Sequence, residues 1–130
     1  MSMMDIDKQI RFWKNSAMED WSVAQDLLQL KRTRHSLFFA HLALEKVLKG
    51  HVSGFTKAIP PKLHNLVRLA ELAGLTLTQE QVDILAEMNS YNLEGRYPDM
   101  LLPALTVKEA TVQLKRAEKV YLWLLNQLPI

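Results

Sequence analysis

The 130-residue sequence contains no cysteine, which excludes disulfides and thiolate metal sites and removes any need for an oxidising compartment. It has no run approaching the roughly 18 apolar residues that a membrane helix requires. Its opening, MSMMDIDKQI, carries acids early and lacks the basic and then apolar regions of a secretory leader. Secretion and membrane spanning are therefore not expected, and the expected setting is the cytoplasm. There is no glycine-rich phosphate loop and no pair of acids suited to Mg²⁺, so nucleotidyl transfer by the chain itself is not expected. The four histidines all lie between positions 35 and 64 without metal-ligand spacing, and neither a metal nor a cofactor is expected. No repeat, low-complexity tract or strand-like alternation is present.

What is present is a helical pattern of apolar residues. Ile10, Trp13, Ala17, Trp21, Ala24 and Leu28 recur at spacings of three and four, predicting a helix from about Asp5 to Lys31 with both tryptophans on the core side. The stretch Arg34–Val52 is apolar on nearly every side, predicting a central helix that ends near Gly50. Gly50 to Pro61 then reads as the main loop, and Leu63 to Ala73 as a short helix closed by Gly74. Thr78 with Gln81, and Thr106 with Glu109, have the form of capping boxes. They open a helix reaching the neighbourhood of Arg96, before Pro98, and a last one stopped by Pro129. The resulting expectation is one all-α domain, an antiparallel up-and-down four-helix bundle with an additional short helix. A bundle of this size covers a central helix only partly, so a homodimer is expected.

Charge is distributed unevenly. The net charge is +2, yet residues 31–68 carry eight Lys and Arg against one acid, Glu45. Such a stretch is either a solvated face with acids supplied from elsewhere or an anion-binding patch. Within it His41 and Glu45 lie one turn apart on an apolar face. They fit a catalytic pair, with Arg34, Lys49 or Arg96 supplying a cation. They also fit a buried polar lock that crosses to Tyr91 and the turn reaching Asp99, the reading favoured for such a pair on an apolar face. The cluster Asn92–Asp99 stands where a helix must end, and its Arg96 and Tyr97 suit contact with a phosphate and a base, or the capping of that helix end together with Asp99. His64, after Pro60 and Pro61, suits either a phosphate contact or a structural cap.

Together, F-x-A-H-x-A-L-E-K-V-L-K-G from Phe38 to Gly50, P-x2-H-N-L-x2-L from Pro61 to Leu69, and Y-x4-R-Y-P-D from Tyr91 to Asp99 resemble the HEPN domain family. The resemblance implies the helical bundle already described, dimerisation, nucleotide or RNA association, and pairing with a minimal nucleotidyltransferase encoded nearby. Some members are metal-independent ribonucleases that act as toxins in toxin-antitoxin pairs. Their signature, an Arg followed by a polar residue and then a His after four to six positions, lies late in the bundle. Here no His follows Arg96, whereas Arg34 and His41 fit the spacing at the start of the second helix. The functional expectation is a nucleotide- or RNA-associated binding module with Arg96, Tyr97, Lys49 and His64 as ligand contacts. The alternatives are a ribonuclease using His41, Glu45 and Arg34, and a purely protein-binding subunit.

Overall fold

The structure, a computed structural model, describes residues 2–96 and 103–130, the side chains of 93–96 excepted. Among the described residues there are five helices and no strand: α1 (Met3–Gln29), α2 (Thr33–Thr56), α3 (Leu66–Leu72), α4 (Gln79–Arg96) and α5 (Val107–Gln127). α1 starts on Ser2, whose hydroxyl accepts from Asp5 N at 3.2 Å. It stops at Lys31, whose backbone is left-handed at φ 63°. There the amides of Lys31 and Arg32 donate to the carbonyls of Leu28 and Leu27, a closure usually built on glycine. Thr106 and Glu109 close the expected capping box of α5, and Thr78 with Gln81 closes that of α4, at 2.9 and 3.1 Å.

The chain reverses direction between successive long helices. Ser36 Oγ donates to Ala24 O and Lys46 Nζ pairs with Asp20, so α1 and α2 are antiparallel. Arg116 pairs with Glu87 while Gln81 and Ile84 lie beside Val120 and Trp123, so α4 and α5 are antiparallel as well. Thr33 Oγ1 donates to Leu105 O and His51 meets Leu124 O, so α5 runs in the direction of α2. This is the expected up-and-down bundle, with α3 laid beside it.

The core is the expected one, with Ile10, Ala17, Trp21, Leu44, Leu48, Leu85, Met88, Leu114 and Leu124 all buried. Trp21 stacks on Tyr121 with centroids 4.5 Å apart. Trp13, expected in the core, is only half-buried, with its indole N–H donating to Gln9 at 3.3 Å. α2 packs against all four other helices, and Leu37, Ala40, Ala43, Leu44, Val47 and Leu48 are each at most 1% exposed. Phe38 and Phe39 on the same helix are only partly buried.

Two boundaries differ from the sequence expectation. α2 does not end near Gly50 but continues to Thr56. Gly50 marks a close approach: a Cβ there would stand 3.3 Å from Leu128 and 3.5 Å from Trp13. Pro61 does not start α3, which begins at Leu66 after Asn65, whose side chain accepts from Arg68 N at 3.0 Å. Residues 57–65 form a non-helical strap. α3 ends as expected on Gly74, at φ 67°.

Candidate functional site

α2 places His41, Glu45 and Lys49 at successive i, i+4 positions, one polar line on an otherwise apolar helix. All three are buried. The strap supplies their partner. Leaving α2 at Lys57, it returns along the helix so that His64 stands level with residues 41–45, roughly 20 Å back at 1.5 Å per residue. His41 Nε2 lies 3.1 Å from the His64 carbonyl, which can only accept, so the imidazole donates from Nε2. Glu45 Oε1 accepts from His64 Nδ1 at 2.9 Å, and its Oε2 accepts from Lys49 Nζ at 3.1 Å. The Lys49 ammonium also sits 5.4 Å from the Trp13 ring centroid. The network therefore ties α1, α2 and the strap together. Asn89 of α4 adds a tie by accepting from Leu66 N at 2.8 Å.

Burial separates the four residues by what they can reach. His41 is fully buried, and Lys49 is 7% exposed. His64 is different: its side chain is half exposed, although the carboxylate holding it is 6% exposed. Its Nε2 has no hydrogen-bond partner among the described residues. The ring is thus anchored on one edge and open on the other.

Among the described residues, the remaining sequence candidates sit on α2 and α4. Arg34 is partly buried in the first turn of α2, one end of a helix about 36 Å long. Tyr91 is buried on α4, beside a cleft lined by Leu105, Lys108 and Val112. The side chain of Arg96, and Tyr97 and Asp99 entirely, lie outside the described residues. Two clefts of about 400 Å³ occur, one between α1 and α5 around Gln25, Asp26, Thr111 and Lys115, the other between α3 and α4 around Val67, Leu75 and Val82. Neither contains His41, Glu45 or His64. Among the described residues no three His, Asp or Glu cluster as metal ligands, and no helix is long and apolar enough to cross a membrane.

The basic stretch also resolves into parts. Lys46 is neutralised by Asp20 at 2.7 Å, Lys49 by Glu45, and Arg68 by Glu71 at 2.9 Å. Exposed without an ion-pair partner among the described residues are Lys31 and Arg32 at one end of α2, Lys57 at the other, and Lys62 on the returning strap. Acids thus answer some of these cations, from other helices or nearby in sequence, and leave others open. The partnership of Glu45 with His64 is not evident from sequence. Its signal is the buried line 41, 45, 49, which demands a partner from another segment.

The HEPN domain model matches residues 10–128. The fold is similar to that of TT1696 from Thermus thermophilus, with a TM-score of 0.77, 25% identity, and 92% of this chain and 98% of that one covered. It is also similar to ST0689, an archaeal HEPN homologue, at a TM-score of 0.71 and 19% identity, covering 92% and 97% of the two chains. No curated protein matches the chain. With the family model spanning nearly the whole bundle, the chain belongs to the HEPN domain family.

Proposed function

We propose that this HEPN chain is a nucleotide- or RNA-associated binding module rather than a catalyst, working in the cytoplasm as a homodimer beside a minimal nucleotidyltransferase. The observation that carries the reading is the strap: residues 57–65 contain no acid, expose Lys57 and Lys62, and present the half-exposed His64 in a fixed position. A nucleic acid backbone is recognised by such cations, with counterion release as the driving force. His41, the residue that a ribonuclease reading needs as its base, is fully buried with Nε2 engaged by the His64 carbonyl. That supports binding over cleavage, because a general base must come within hydrogen-bond reach of the proton it removes.

Binding of a short fluorescent single-stranded RNA and of mononucleotides, followed from 50 mM salt upward, tests this. The expected outcome is binding whose log Kd worsens steeply and linearly with log salt, with the RNA intact after incubation in EDTA. Absence of RNA and nucleotide binding at 50 mM salt contradicts the reading. EDTA-resistant cleavage lost in His41→Ala would favour the ribonuclease instead.

A further inference from the structure

We infer that His64 is a phosphate contact of this module and that Glu45 is its positioning residue, an inference that rests on the binding reading above. The ligand class is a phosphate oxygen, borne either by a nucleoside 5′-monophosphate or by the diester backbone of single-stranded RNA.

Three observations converge on it. First, Glu45 is the sole acid of residues 31–68, and it is buried with one oxygen on Lys49 and the other on His64. A carboxylate desolvated in this way needs both partners, and the result is a rigid seat for the ring. Second, His64 is clamped twice, through its ring by Glu45 and through its carbonyl by His41 at 3.1 Å. A side chain that serves only to tie down the strap gains from being covered, yet this one stays half exposed. Third, the surroundings favour an anion. Lys62 is exposed two residues before His64, residues 57–65 contain no acid, and the nearest acid after them in sequence, Glu71, is paired with Arg68.

The proton arrangement follows from the geometry. Glu45 accepts the Nδ1 hydrogen, so a phosphate oxygen approaching the open edge meets Nε2. A neutral ring held this way has a bare Nε2, so the contact requires the doubly protonated ring, whose second hydrogen bonds the phosphate oxygen. Lys49 pairs with Glu45 from behind, so a charge on the ring would not be cancelled by the carboxylate that orients it.

The test is nitrogen NMR of the full chain with ¹⁵N-labelled imidazoles. The ligands are inorganic phosphate, a nucleoside 5′-monophosphate, the matching nucleoside, and a short RNA without terminal phosphates. The expected result is that phosphate and the monophosphate move the His64 Nε2 resonance while the nucleoside does not. A response to the RNA without terminal phosphates adds the diester as a source, and its absence restricts the ligand to the monoester. In Glu45→Gln the Nε2 response weakens at least fivefold. Because that change leaves Lys49 unpaired, His64→Gln, altering a half-exposed ring, serves as the second variant. It is expected to retain the wild-type Tm within about 2 °C and to weaken binding of the ligand by about tenfold, the size of one charge-assisted hydrogen bond. An unmoved His64 resonance, or equal affinity in His64→Gln and wild type while RNA still binds, overturns the inference and leaves the binding module standing. Loss of all RNA and nucleotide binding in the wild type overturns that module instead, and the inorganic phosphate titration then decides the fate of His64 by itself.

Discussion

Glu45 and His64 are 19 residues apart, and a 2.9 Å bond from Nδ1 to Oε1 joins the strap to α2 beside the bond from His41 to the His64 carbonyl. The same carboxylate holds Lys49, so the pair links a buried charge balance to an exposed ring.

Removing the carboxylate strands the ammonium of Lys49, whose side chain is 9% exposed. Glu45→Ala is expected to cost about 3 kcal/mol in urea unfolding, as for a buried pair deprived of one member. Glu45→Ala combined with Lys49→Met is expected to recover most of it, because no uncompensated charge remains. Equal losses in the single and double variants would contradict the charge-balance account.

Gly74 closes α3 at φ 67°, and a Cβ there would stand 2.6 Å from Cζ of Phe55. Phe55 is 65% exposed and its ring can swing away, so the backbone is the main obstacle. Gly74→Ala is expected to cost about 1–2 kcal/mol, a fall in Tm of roughly 3–6 °C. The cost should persist in a Phe55→Ala background. If it vanishes there, the ring and not the left-handed backbone sets the penalty.

His51 ties α2 to α5 by donating from Nε2 to Leu124 O at 2.7 Å. Burial lowers its pKa below the ordinary 6.5, outweighing the Leu124 carbonyl, which raises it. In the unfolded chain the ring takes up a proton as pH falls through about 6.5, whereas in the folded chain it does so only at lower pH. The unfolded state then binds more protons, so stability contributed by His51 is present above pH 6.5 and is lost as pH falls through the folded value. Urea unfolding between pH 7 and 5 should show this slope, and His51→Gln should flatten it.

At the alkaline end, burial against Trp21 pushes Tyr121 up from 10 to about 12. The unfolded phenol ionises first, so this stabilisation is complete below pH 10 and lost between pH 10 and 12. Absorbance titration near 295 nm should show a phenolate step at about pH 12 that Tyr121→Phe removes. Loss of amplitude near pH 10 instead of pH 12 in that variant would place Tyr121 among the ordinary phenols.

Much of the bundle is written in local signals. The stripe Ile10 to Leu28, the capping residues Thr78 and Thr106, and Gly74 at its left-handed position each depend on neighbours within a turn or two, and such signals survive in sequence. Gly50 misleads because a glycine that ends a helix and one that admits Trp13 and Leu128 look alike until the packing partners are known. Lys31 and Lys57, both left-handed without being glycine, carry no sequence mark at all. The site is legible by half. His41, Glu45, Lys49 and His64 all stand out in the sequence, yet their pairing depends on a strap that doubles back along α2, and no periodicity encodes that return. Arg96, Tyr97 and Asp99, notable for their place at a helix end, have side chains outside the described residues.

The division of the basic stretch offers the most direct test of the account. α2 separates Lys31 and Arg32 from Lys57 by about 36 Å of helix, and Lys62 lies partway back along the strap near His64, so the two pairs can be reversed independently. Salt-dependent binding of a short single-stranded RNA is measured for the wild type, for Lys57→Glu with Lys62→Glu, and for Lys31→Glu with Arg32→Glu. If the strap is the contact surface, its double variant loses about 1.4 from the slope of log Kd against log salt, at ~0.7 per phosphate contact for a single strand, while the other double variant keeps the wild-type slope. An unchanged slope in the strap variant, with loss confined to Lys31→Glu and Arg32→Glu, would contradict it.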